Sequence, residues 1–509
     1  MNSIHGKGWV AGQILSLPRT LSFYMKHSRS ALKGVTVQTG ALLAIMASAY
    51  IALNLNVQGF VGMLPFVQRE FSLSGAQAGL YTSFYFLSAT AVAVFSGRIV
   101  DWIGPRNGLA IGTGTVGVMM ILHAASPAYS LILALAFVTG VGFSLITPSV
   151  SKGVISYVSA TRRAGAMGIV HGLGGVGALA GSAAMPALAG LFGWRSVLTA
   201  TSGVSLLVAA GILLLFNRVL PRAKPGVRYA GSEGSGSGAP RAGTNGPGSA
   251  GAADEAHGSP AAGDEAPGSA AAGDEALVSP AAGNGSPAAT ESRAFGSDLK
   301  RVLSDRTFLS ICVLGIAFGM SLSSVIAHMT LFLVQDLNHS PAIAGLTLSW
   351  FHIGGVIGQP SWGYINDRFF ERRRRRGLLL LAALTAAVSL FFGLVVITGV
   401  LPVFGLFAAS AFLGFSIFGM PGLYFTTISE LVPEELTGLA TGVALVFSRA
   451  GVVLAAPVFG VLSDVTGDYR MSWIALAATV GVIGLSVLIS TRRSALSHAI
   501  RRRVPGITS

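Results

Sequence analysis

Apolar positions along the chain gather into long uninterrupted runs rather than alternating with polar ones. A helix needs about 20 such residues to cross the roughly 30 Å hydrocarbon core of a bilayer. Runs of that size fall at residues 36–65, 76–97, 107–126, 129–157, 164–192 and 195–217. They return at 307–335, 342–365, 377–399, 402–431, 437–462 and 471–490. Several exceed the minimum, which predicts tilt or ends that protrude into water. The pattern predicts an all-α membrane protein of twelve transmembrane helices in two sets of six. Residues 35–220 form the first set and 301–492 the second, flanked by tails at 1–34 and 493–509.

The segment between the sets, residues 221–300, has a different character. It is rich in Gly, Ala, Ser and Pro, and Asp254-Glu255, Asp264-Glu265 and Asp274-Glu275 mark a direct repeat. Such a composition cannot bury enough apolar surface to offset chain entropy, which predicts a disordered linker.

Composition supports the membrane reading. Hydrophobic residues make up 52% of the chain and charged ones only 11%, against about 25% charged in soluble domains. The 67 glycines suit helices that must approach closely in lipid. A net charge of +14 would suit a nucleic-acid partner, but its placement excludes that reading. Lys7, Arg19, Lys26, Arg29, Lys33, Arg98, Arg106, Lys152, Arg162, Arg163, Arg368, Arg372 to Arg376, Arg492 and Arg493 fall on one predicted side. The other side holds little beyond Arg69, Arg195 and Arg470. By the positive-inside rule both termini and the linker face the cytoplasm, in the inner membrane of the cell. The N-terminus shows no cleavable signal pattern. The single cysteine, Cys312, lies in an apolar run and excludes an internal disulfide.

The two sets carry matching punctuation. Gly79, Ser83, Gly97 and Asp101 recur at one common spacing as Gly345, Ser349, Gly363 and Asp367. Gly142-Phe143-Ser144 recurs as Gly414-Phe415-Ser416, and Gly168 and Gly177 recur as Gly442 and Gly451. Two parallel repeats of this kind place a binding site near the bilayer midplane, where the halves meet.

The stretch from Gly97 to Arg106, with Asp101 and Gly104 between them, resembles the cytoplasmic signature of the major facilitator superfamily. A shorter second copy runs Gly363, Asp367, Arg368. Trp102 and Pro105 stand where the family usually has basic residues. The resemblance covers both helical sets. It implies a transporter in which Asp101 meets nearby arginines and the positive N-terminus of the eleventh helix, near Glu435 to Gly438, and so closes the cytoplasmic end. It also implies a small-molecule substrate, with a proton or another ion as a possible coupled partner, and a monomer in the lipid bilayer. Ala136 stands where many proton-linked drug exporters of the family carry an arginine. The second and eighth spans lack the central arginines of nitrate carriers.

A charge at mid-bilayer is costly, so it should face a cavity or a partner. No Asp or Glu lies well inside a span, but Arg449 falls near the middle of the eleventh. It is the leading candidate for binding a substrate's negative charge, with packing against carbonyls and amides as the alternative. Asn54 and Gln58 share a face of the first span. They either line the cavity or bond a neighbouring helix. His328 and His352 fall in central regions and either titrate or serve as core groups. No phosphate-binding loop appears, and no acid–base or metal cluster suggests an enzyme or a cofactor. The expectation is carriage of a small organic anion. A multidrug or metabolite exporter is one alternative, and a receptor or scaffold that kept the fold without transport is another.

Overall fold

The computed structural model describes residues 37–159, 162–219, 298–370 and 373–503. The tail at 1–34, Arg372, the side chains of Arg492 and Arg493, and the 221–300 segment up to residue 297 lie outside the described residues. All regular structure among the described residues is helical. The first half comprises α1 (Val37–Gly62), α2 (Leu64–Phe71), α3 (Gly75–Ala125), α4 (Tyr129–Tyr157), α5 (Arg163–Phe192) and α6 (Trp194–Val219). The second comprises α7 (Arg306–Gln335), α8 (Pro341–Phe369), α9 (Arg374–Leu394), α10 (Val403–Phe418), α11 (Met420–Leu431), α12 (Thr437–Thr466) and α13 (Arg470–Arg503). A short helical segment at 298–304 precedes α7, so helix begins within the expected linker boundary.

Eleven stretches among the described residues are long and apolar enough to cross a membrane. The first arm of α3 supplies the remaining predicted span at 76–97; it is helical and carries no charged residue. Helix α3 thus joins the second and third predicted spans as two helical arms that meet at a kink without an intervening loop. It opens on a capping box, in which Ser74 Oγ accepts from the Gln77 amide and Gln77 Oε1 accepts from the Ser74 amide. It turns at Gly104, whose φ of +81° is costly for any residue with a Cβ. The run at 402–431 divides instead at Gly419, and Pro421 sits in the first turn of α11, where its missing N–H costs nothing.

The sequence repeat reappears as a packing repeat. A Cβ on Gly177 would collide with the Ile51 carbonyl oxygen, and a Cβ on Gly451 would collide with that of Ile316. Helix α5 therefore lies against α1 as α12 lies against α7. Close backbone approach through small residues is how helices associate where lipid supplies no hydrophobic drive. Polar bonds add to it. Buried Asn56 on α1 donates to the Thr201 carbonyl and to Ser205 Oγ on α6, at 3.2 and 2.8 Å.

Candidate substrate cavity

A cavity of about 750 Å³ lies between the halves. Helices α1, α4 and α5 wall it on one side, and α8 and α10 on the other. Asn54, Gln58 and His352, three of the residues singled out in the sequence, line it together with Tyr50, His171 and Gln359. Asn54 donates to the Tyr50 carbonyl at 3.0 Å, and the Tyr50 hydroxyl pairs with Thr147 at 2.8 Å. His171 packs at a tilt against Tyr50, with ring centroids 4.7 Å apart. Two buried polar atoms in the wall have no partner: Gln58 Oε1 and His352 Nε2. Among the described residues no acidic side chain lines the cavity.

Arg449 is not in this wall. It stands on α12 against α3, with its guanidinium carbon 5.3 Å from the centre of the Phe86 ring. Tyr85, next to Phe86, packs on the cavity-lining Phe143 with ring centroids 5.7 Å apart. The aromatic rings of Phe86, Tyr85 and Phe143 therefore stand between Arg449 and the cavity. Arg449 has no ion pair or hydrogen bond among the described residues. Its guanidinium lies over the face of Phe86, a cation–π contact supplied by the opposite half.

His328 does not join the site. It is fully buried, its Nε2 pairs with the Ala456 carbonyl at 2.7 Å, and its Nδ1 lies 3.3 Å from the Tyr469 hydroxyl. Phe459 and Tyr469 pack on its ring. A histidine with both nitrogens engaged has no valence left for a ligand. Trp350 is not in the cavity lining and stacks on Phe407.

The signature loops lie at one end of the molecule, here termed the signature end. Asp101 pairs with Lys152 of its own half at 2.9 Å and remains largely exposed. It does not meet the first turn of α12, where Gly438 faces open space. Gly97, Gly168, Gly172 and Gly442 also face open space. Arg106 donates to the Leu213 carbonyl across the Gly104 turn. Gly363, Asp367 and Arg368 of the second copy are exposed, and neither charged side chain forms an ion pair among the described residues.

At the opposite, far end the halves are sealed. Both carboxylate oxygens of Asp464 on α12 accept from the first turn of α3, from the Gly75 and Ala76 amides at 2.6 and 2.9 Å. Ser83 donates to the Val453 carbonyl. Ser349 on α8 pairs with Ser182 on α5 at 3.1 Å, and Gln335 donates to Gln68 at 2.7 Å. Nothing in the sequence marked Asp464 as a cross-half contact. The only available signals were its place at the far end of α12 and the capping box that opens α3.

A bundle of two repeated halves, sealed at one end around a central cavity, defines a membrane transporter. The chain belongs to the major facilitator superfamily, whose model matches residues 46–456 and 309–504. It is 22% identical over 165 residues to a probable sulfoacetate transporter of Cupriavidus necator. It is 29% identical over 131 residues to an uncharacterized transporter of the same type from Mycobacterium tuberculosis. These matches cover 32% and 26% of this chain, and only 38% and 23% of the relatives' own lengths. Among solved structures, a bacterial homolog of the human lysosomal transporter Spinster, inward-facing and occupied, superposes with a TM-score of 0.63 at 14% identity. That match covers 90% of this chain and 98% of the other. The nucleoside transporter NupG gives 0.62 at 13% identity, covering 88% and 98%. These likenesses show the fold. The chain is a multi-pass membrane protein of this transporter family.

Proposed function

We propose that the protein carries a small organic anion across the inner membrane by alternating access, as a monomer. The observation that carries this reading is Arg449, a cation near mid-membrane with no acidic partner among the described residues, separated by the Phe86, Tyr85 and Phe143 rings from a cavity whose described lining holds no carboxylate. Placing an unpaired guanidinium there is expensive unless an anion visits it. The relative described as a probable sulfoacetate transporter handles an organic anion by its name, which supports the same substrate class. The weight of Lys and Arg puts the signature end, both termini and the 221–300 linker in the cytoplasm. The sealed far end then faces outward, and this conformation opens inward.

The test is ligand-induced thermal stabilisation of purified protein, since only a bound ligand shifts the folding equilibrium this way. Arg449→Gln should remain folded and lose stabilisation by organic anions. Arg449→Lys should retain part of it, because an ammonium keeps the charge but not the two parallel bonds a guanidinium offers a carboxylate. Full anion stabilisation of Arg449→Gln would remove this residue from substrate binding.

A further inference from the structure

We infer that Pro457 on α12 is a gating residue: it frees the Val453 carbonyl from its own helix, so that closure of the far end turns on a hydrogen bond from Ser83 in the opposite half. This goes beyond the anion reading. It rests on alternating access but not on the nature of the substrate. A proline inside a helix has no N–H to give the carbonyl one turn earlier. Pro457 stands inside α12, and the carbonyl it releases is that of Val453. In lipid such a carbonyl needs another donor, which a neighbouring helix can supply through a hydroxyl. Here the donor is the Ser83 hydroxyl on α3. Ser83 is only 5% exposed, so water does not readily replace it while the seal holds.

The packing around the proline serves that bond. Gly79, one turn before Ser83 on α3, lies over the Ala456–Pro457 peptide. A Cβ there would stand 2.6 Å from the Ala456 oxygen and 2.9 Å from the Pro457 nitrogen. From its own half, His328 Nε2 holds the Ala456 carbonyl at 2.7 Å. The proline turn is thus fixed by α7 on one side and presented to α3 on the other. The sequence repeat supplies an internal comparison. Gly345 and Ser349 on α8 meet α5, which carries Pro186 inside it. Pro186 releases the Ser182 carbonyl, but that oxygen lies against Gly345, 2.3 Å from a Cβ placed there. Ser349 donates instead to the Leu179 carbonyl at 3.1 Å. The helical donor to Leu179 is the Ala183 N–H, which no proline removes. When the far end opens, Val453 loses the donor that replaced its helical one, while Leu179 keeps its own. A carbonyl left without a donor costs more than an average hydrogen bond gains.

The experiment is a double-mutant cycle on the full chain. In a Cys312→Ser background, a cysteine at Thr330 reports the seal, because Thr330 bonds the Val61 carbonyl of the other half. Its reactivity toward a maleimide is the readout. Ser83→Ala should raise labelling roughly fivefold, because it strands a released carbonyl. In Pro457→Ala the alanine N–H reclaims that carbonyl, and adding Ser83→Ala should then change labelling by less than about twofold. Ser349→Ala should raise labelling about threefold whether or not Pro457 is present. That control separates loss of the Ser83 bond from a general straightening of α12. Pro457→Gly also restores the N–H and replaces Pro457→Ala if the latter fails to fold. An equal effect of Ser83→Ala with and without Pro457 overturns the proposal, as does no effect in its presence. A Ser349→Ala effect that vanishes together with that of Ser83→Ala also overturns it, assigning the change to the shape of α12. Failure of alternating access looks different: position 330 then stays unlabelled in every variant, which overturns both readings together.

Discussion

The two ends of the bundle are built from repeats of the same sequence and yet are in opposite conditions. At the far end the halves are joined by charged, hydroxyl and amide hydrogen bonds from Asp464, Ser83, Ser349 and Gln335. At the signature end the corresponding helices face open space, and the Asp101–Lys152 pair stays within one half. An aspartate stands at a helix end in both places. What separates them is the partner: Asp464 binds the first turn of a helix in the opposite half, where the macrodipole and two free amides favour a carboxylate. Asp101 has only a local lysine. Such an asymmetry is what one conformer of an alternating-access cycle should show, with one aspartate latched across the halves at a time.

The largest change should come from breaking the far latch. Asp464→Ala removes two charge-assisted bonds at a partly solvated site, a loss of about 1–2 kcal/mol from the sealed conformer. Labelling of a cysteine placed at buried Thr330, which bonds the Val61 carbonyl across the seal, should then rise several-fold. Unchanged labelling would make the latch incidental. Acidity should act next. Asp336 shares the far-end depression with Asp464, Asp468, Tyr469 and Arg69. Burial pushes its carboxyl up from 3.8 to about 6; the Tyr469 amide opposes this and the Asp468 charge adds to it. A raised carboxyl favours its protonated form, so its contribution to folding stability is full below pH 3.8 and is lost as pH rises through about 6. The melting temperature should therefore carry a fall between these limits that Asp336→Asn flattens. Ser349→Ala should follow, at about 0.6 kcal/mol, the typical worth of an interhelical bond in a membrane protein. Asp101→Asn should alter far-end labelling least, by under about 0.5 kcal/mol, because an exposed pair within one half contributes little. A large effect there would mean that Asp101 acts on the seal from the other end.

Much of this organisation was legible in the sequence, for physical reasons. Apolar run length located the spans because lipid leaves no other backbone solution. The Gly177 and Gly451 match anticipated a shared backbone contact because only glycine permits it. Asn54, Gln58 and His352 converge in one cavity because polar residues inside spans must face one another or a cavity. His328 shows where that logic stops. Residue type and depth cannot tell a cavity group from one whose nitrogens are taken by a carbonyl and a tyrosine of distant helices. Arg449 is a related case: its depth was readable, but its placement on Phe86 depends on how α12 meets α3. The Asp101 contact expected from the family signature requires the signature end to be closed, and in this conformer it is open.

The central claim is that an organic anion drives the two ends in opposite directions. In a Cys312→Ser background, a cysteine at Gly168 reports the open mouth and one at Thr330 reports the seal. Reactivity of each toward a membrane-impermeant maleimide is measured with and without lactate, in wild-type and Arg449→Gln proteins, with the reagent admitted to both faces. Alternating access predicts that lactate lowers labelling at position 168 and raises it at position 330, and that Arg449→Gln abolishes both shifts. Labelling that rises or falls together at the two positions, or that responds equally in Arg449→Gln, would contradict it.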